Sequence, residues 1–149
     1  MNLTEEFAAL VDALEREGAP YAVVGALAVA VHGAPRATTD IDLLVQPANL
    51  DRIREIAQRV GFTLEALPIR FRDGMELRRL TKVRDGEHLT LDLLLVDATL
   101  LPVWESREKI RTEAGEIWVV SRDALIQMKV AAGRPQDIFD VQRLQELDR

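Results

Sequence analysis

Asp40 and Asp42 stand two residues apart in the run Thr39-Asp40-Ile41-Asp42-Leu43-Leu44-Val45, whose alternation predicts a strand. On a strand both carboxylates leave the same face, with Cα atoms roughly 6–7 Å apart. Like charges held side by side repel, and hard oxygen donors of this kind suit a divalent cation such as Mg²⁺ or Mn²⁺. Upstream, Val24-Gly25-Ala26 reads as the end of a strand, a tight glycine turn and the first residue of a short apolar helix. Such a junction presents backbone N–H groups at a positive helix end, where an anion binds. A third carboxylate, Asp92, sits inside the apolar run from His88 to Val96, where a lone charge is costly unless paired or metal-bound. A phosphate-sized turn, a carboxylate pair and a third strand acid could hold divalent ions, orient a nucleoside triphosphate and stabilise in-line attack at phosphorus.

The elements that must position these groups follow from periodicity and punctuation. Residues 3–17 predict a helix with Thr4 as cap, Glu5 and Glu6 at its positive end, a buried stripe of Phe7, Leu10, Val11 and Leu14, and a stop at Gly18. Tyr21 to Val24 is a short buried strand, and Ala26 to His32 an apolar helix stopped by Gly33 and Pro35. In the second strand Ile41, Leu43 and Val45 point one way, and Asp40, Asp42 and Leu44 the other. Pro47 and Asn49 open a third helix to about Val60, and residues 62–74 carry no clear period. Met75–Val83 and His88–Val96 flank Asp85-Gly86, a hairpin signal that puts Asp92 on the face opposite Leu89, Leu91, Leu93 and Leu95. Asp97 ends the same strand and fits better as the cap of a helix over 98–109, so strand parity favours Asp92 over Asp97 as the site acid. A second hairpin is expected over 110–120. Ser121 then caps a helix from Asp123 to Ala132, and Pro135 starts a last helix to Leu147. No linker or repeat divides the chain, so residues 1–149 predict one α+β domain: a small mixed sheet flanked by helices, with further helices at the C-terminus.

Composition narrows the function classes. Hydrophobic residues make up 48% and charged residues 30%, a globular balance. No apolar run reaches the ~18–20 residues that span a membrane. The acidic start lacks the basic opening of a signal peptide, so the expected location is cytoplasmic. With no cysteine, disulfides and thiolate chemistry are excluded. A net charge of −6 argues against a broad electrostatic grip on nucleic acid. Locally, Arg70, Arg72, Arg78, Arg79, Lys82 and Arg84 outnumber Asp73 and Glu76, a stretch that reads as a solvated hairpin face before an RNA-binding one.

Gly25-Ala26-Leu27-Ala28, Asp40-Ile41-Asp42 and the later Asp92 resemble the polymerase-β-like nucleotidyltransferase superfamily, in which a helix-opening Gly-Gly or Gly-Ser precedes Asp-x-Asp and a third strand acid. Within it, His32-Gly33, Arg36-Ala37-Thr38-Thr39-Asp40 and the stretch from Met128-Lys129 through Asp137 to Asp140 are similar to small proteins related to AbiEii toxins of toxin–antitoxin and phage-defence systems. The resemblance covers most of residues 21–140. It implies a nucleotidyltransferase core in which Asp40, Asp42 and Asp92 bind the metal and carry catalysis. Gly25, Ala26, Arg36, Thr39, Lys129 and Asp137 would bind the nucleotide. It further implies an NTP substrate, an acceptor hydroxyl on RNA, protein or a small molecule, and an antitoxin partner. One departure stands out: Ala26 replaces the usual Gly or Ser, keeping the backbone N–H but offering no hydroxyl to a phosphate.

Read residue by residue, other roles stay open. Arg36 reaches a phosphate or bonds nearby carbonyls. Asp137 and Asp140, spaced i and i+3, serve the site or stabilise the first turns of the last helix. His32, at the end of a buried helix, reads as a structural hydrogen-bonding residue. Lys129 lies among small apolar residues, which favours a functional role. Two functions remain: a Mg²⁺-dependent nucleotidyltransferase, or a relative that binds nucleotide or a partner protein without turnover.

Overall fold

The computed structural model describes residues 1–34 and 37–147; Pro35 and Arg36, singled out above as helix stop and phosphate contact, lie outside them. Among the described residues are eight strands: β1 (Ala22–Val24), β2 (Asp40–Val45), β3 (Leu64–Glu65), β4 (Ile69–Arg70), β5 (Glu76–Arg84), β6 (Glu87–Leu95), β7 (Glu108–Thr112) and β8 (Gly115–Val119). Six α-helices accompany them: α1 (Leu3–Arg16), α2 (Gly25–Val31), α3 (Leu50–Arg59), α4 (Leu101–Glu105), α5 (Arg122–Ala132) and α6 (Pro135–Glu146). The strands form one mixed sheet in the order β3-β5-β6-β2-β1-β8-β7, with β4 also paired to β5.

At its centre β2 runs antiparallel to β1 and parallel to β6, and is buried from Ile41 to Val45 apart from a half-buried Asp42. The β5–β6 hairpin forms because Asp85 and Gly86 both adopt positive φ (52° and 79°), a turn whose twist matches the flanking strands. The helix α2 touches β1, β2 and α5, α5 packs on α6, and α1 packs on α3. One apolar cluster runs through them, with Leu10, Leu14, Ile41, Leu43, Ile53, Ile56, Leu91 and Leu93 at most 1% exposed.

Several expectations shift. Asn2, not Thr4, caps α1, its Oδ1 accepting from Glu5 N at 3.0 Å. The helix expected over 98–109 shrinks to Leu101–Glu105, because Lys109 belongs to β7 and pairs with Trp118 across the second hairpin. Asp97 does not cap it: the N-cap of α4 is Leu100, without a side-chain cap bond, and Asp97 instead closes the turn ahead of it, accepting from Leu100 N at 2.9 Å. Pro47–Asn49 is a 3₁₀ turn ahead of α3, and the unassigned stretch 62–74 holds two two-residue strands on the edge of β5. Ser121 caps α5 as expected, accepting from Ala124 N at 3.1 Å. Tyr21, fully buried, donates its hydroxyl to Glu15 and accepts from Trp118 N, tying α1 to β8.

Candidate active site

Sheet register assembles the carboxylates. In the parallel β2–β6 ladder Asp42 stands directly opposite Asp92, and Asp40 opposite Thr90. On the far side of β6, Arg79 stands opposite Asp92; on the far side of β2, Val24 stands opposite Asp42. Val24, Asp42, Asp92 and Arg79 thus form one row across four strands, and residues opposite one another in a sheet share a face. Asp40 leads β2, exposed, its backbone N–H donating to Thr38 Oγ1 at 3.1 Å. Thr39 is exposed, and its carbonyl accepts from Thr90 N, opening the β2–β6 ladder. Thr38 and Thr39 also line a cavity of about 460 Å³ with Met1, Glu87 and His88, beside Asp40.

Gly25 fits this row because nothing else would. Its φ is +68°, and a Cβ there would lie 2.2 Å from Asp42 Oδ2. Glycine therefore both permits the turn from β1 into α2 and lets Asp42 lie against that turn. The next residue, Ala26, is buried at 5% exposure.

Electrostatics follow from this crowding. Burial pushes the Asp42 carboxyl up to about 7, with repulsion from Asp92 and Asp40 adding to it. Lys129 and Arg79 pull the other way. Asp92, 6% exposed, gives both oxygens to Arg79: Nε donates to Oδ1 at 2.8 Å and Nη2 to Oδ2 at 3.0 Å. Lys129, on α5, points its ammonium at Asp140 (2.9 Å) and Asp137 (3.5 Å) of α6, all three buried. Asp137 also closes the capping box of α6, accepting from Arg134 N at 3.2 Å and Nε at 2.6 Å. Burial alone would raise the Asp137 carboxyl, but the hydrogen bond and charge of Arg134, with Lys129, hold it below its ordinary value. Arg134 in turn feels the charge of Asp42, so the α5–α6 junction lies within electrostatic reach of that carboxylate.

The structure thus brings Gly25, Ala26, Asp40, Asp42 and Asp92 together, with Lys129 within electrostatic reach and Asp137 behind it. His32 keeps to a structural contact, its Nε2 lying 2.8 Å from the Val120 carbonyl. The basic stretch is largely neutralised within the hairpin region: Arg70 on Glu76, Lys82 and Arg84 on Glu6, Arg79 on Asp92. Arg79 is the site residue the sequence reading passed over. The signal was available, since five ladder steps back from Arg84–Glu87 put Arg79 opposite Asp92.

Among the described residues no group of three or more His, Asp or Glu side chains is arranged to hold a metal ion. The donor chemistry at β2 nevertheless fits one: Asp40 and Asp42 share a face, and the charge repulsion felt by Asp42 is what a bound cation would relieve. Asp92 is the exception, its oxygens committed to Arg79.

The mixed sheet with helices, the glycine turn against a strand aspartate and the Asp-x-Asp strand are the features that the resemblance to nucleotidyltransferases implies. Consistently, a family model described as nucleotidyltransferase of unknown function (DUF6036) matches residues 1–148, and the chain belongs to that family. Solved structures share the fold at low identity. A Thermotoga maritima protein provisionally assigned as a nucleotidyltransferase is 17% identical, with 100% of this chain and 97% of that one covered and a TM-score of 0.65. The antibiotic-resistance factor ANT(2″)-Ia, solved with adenylyl-2″-tobramycin, is 14% identical over 95% of this chain and 86% of its own, with a TM-score of 0.63. JHP933 from Helicobacter pylori is 16% identical over 95% of this chain and 64% of its own, also at 0.63. No curated protein sequence matches the chain. None of the described helices is long and apolar enough to cross a membrane.

Proposed function

We propose that this protein transfers a nucleoside monophosphate from an NTP to an acceptor hydroxyl on RNA, protein or a small molecule, releasing pyrophosphate. The observation that carries the reading is the register pair Asp42–Asp92 with Gly25 pressed against Asp42, a carboxylate row at the mouth of a glycine turn. Asp40 and Asp42 would hold a Mg²⁺ or Mn²⁺ ion, with Asp92 beside them. When bound, such an ion supplies charge neutralisation at the reacting phosphate. The Gly25 and Ala26 backbone N–H groups would meet the phosphates. Lys129, held by Asp137 and Asp140, would add positive potential behind Asp42, and Arg36 and Thr39 would flank the nucleotide. The likeness to ANT(2″)-Ia, solved with adenylyl-2″-tobramycin, supports a small-molecule hydroxyl as one acceptor class. The resemblance of residues 21–140 to AbiEii-related proteins supports a cytoplasmic toxin restrained by an antitoxin.

The test is incubation of purified protein with radiolabelled NTPs, Mg²⁺ and candidate acceptors. Labelling of an acceptor by the wild type, lost in Asp40→Ala and Asp42→Ala, is the expected result. No labelled acceptor, or labelling unchanged in both variants, would sink the reading. The Arg79–Asp92 pair and the buried Ala26 favour a second reading, a protein that binds nucleotide or a partner without turnover. Mg²⁺-dependent NTP binding by calorimetry without any product would select it.

A further inference from the structure

The third carboxylate of the row is already satisfied by a cation, and that cation belongs to the chain. Register places Arg79 opposite Asp92, so the pairing is built into the backbone of the β5–β6 hairpin and does not depend on a chance side-chain conformation. The contact is two-pronged, at 2.8 and 3.0 Å, which uses the carboxylate face a metal would need. The two partners differ in freedom: the Asp92 side chain is 9% exposed, whereas that of Arg79 is 47% exposed. Asp92 is fixed, and the guanidinium has solvent to swing into. Arg79 also feels the charges of Asp40 and Asp42, so its positive charge serves the whole row.

We propose that Arg79 and a divalent cation compete for Asp92. With no metal the guanidinium neutralises the third carboxylate; an ion anchored by Asp40 and Asp42 gains Asp92 as a ligand only when Arg79 turns outward. Arg79 thereby sets how tightly the site holds its ion. This rests on the metal site of the proposed function and adds to it a residue of this chain that limits occupancy.

The test is Mn²⁺ titration by calorimetry of the full chain, with metal-free thermal unfolding alongside. Wild type, Arg79→Gln, Arg79→Lys, Asp92→Asn and the Arg79→Gln/Asp92→Asn double variant are compared. Replacing Arg79 by Gln should tighten Mn²⁺ binding about tenfold, the scale of one charge-assisted pair. It should also lower the metal-free Tm. Arg79→Lys, which cannot grip both oxygens, should fall between Gln and wild type, and it decides the matter if Arg79→Gln does not fold. Asp92→Asn alone should change Mn²⁺ affinity little, yet erase the gain in the double variant. Affinity unchanged or weakened on replacing Arg79, or a gain that survives Asp92→Asn, overturns the competition while leaving the metal site standing. If no protein in the set, wild type included, binds Mn²⁺, the metal site itself falls and the competition with it.

Discussion

Gly25 and Asp42 touch so closely that a single added carbon on the glycine would sit 2.2 Å from the aspartate's Oδ2. With φ at +68°, Gly25→Ala carries backbone strain as well as that collision. The variant should lose about 1–3 kcal/mol in urea unfolding. It should lose nucleotide labelling more completely than stability, because the least costly escape is for Asp42 to move. Labelling at wild-type level in a folded Gly25→Ala protein would contradict this.

The carboxyl of Asp42 predicts an unusual stability profile. Its pKa, pushed up to about 7 first by burial and then by Asp92 and Asp40, exceeds the ordinary value of about 3.9 expected unfolded. The native state therefore holds a proton that the unfolded chain has released between those two values. Stability present below about pH 4 is lost as pH rises through 7, by at most about 1.4 kcal/mol per unit. Asp42→Asn should flatten that slope in metal-free buffer, as read by denaturant midpoints from pH 4 to 8. An unchanged slope would count against the burial of Asp42.

Glu6 and Lys82 form an ion pair of 2.5 Å between α1 and β5, with side chains only 10% and 11% exposed, and Lys82 also donates to the Val60 carbonyl. Removing one member leaves the other charged and dry. Glu6→Gln should cost about 3–5 kcal/mol, whereas Glu6→Leu combined with Lys82→Met should be close to neutral. Arg84, the second partner of Glu6, is 55% exposed and would turn to water. Urea titration of the two variants beside wild type checks the ordering.

Lys129 offers a similar test behind the site. Its ammonium bridges Asp137 and Asp140, and Lys129→Met would remove the buried cation they share, Asp137 keeping Arg134. A loss of about 3–5 kcal/mol is expected, with much of it recovered by adding Asp140→Asn. If the double variant recovers stability but not NTP binding in calorimetry, the lysine's charge serves the nucleotide as well as the fold.

Much of the site was legible because strand parity is strict. Alternation in β2 put Asp40 and Asp42 on one face, and the Asp85-Gly86 turn set the phase that places Asp92 on the face opposite Leu89, Leu91, Leu93 and Leu95. What escaped were effects of tertiary competition. Residues 98–109 keep a helical look, but Ser106 Oγ bonds the Val103 carbonyl at 2.6 Å and Arg107 lies over the rings of Trp104 and Trp118, so the chain leaves the helix to enter β7. Asn2 took the cap from Thr4 because the helix begins one residue before the threonine. Arg79 looked like one of many solvated arginines, since its partner is found only by carrying the hairpin register across to Asp92.

The order of pairing in the sheet carries a kinetic consequence. The β5–β6 hairpin closes locally around a two-residue turn, whereas β2 meets β6 in parallel across about fifty residues of chain. If the hairpin closes first, Asp92 would reach Asp42 with Arg79 already attached, and the nascent sheet would be spared the meeting of two bare carboxylates. The arginine would then act as an escort during assembly. Its replacement should slow refolding in stopped-flow experiments as well as hasten unfolding, and an unfolding-only effect would place the pairing after the transition state.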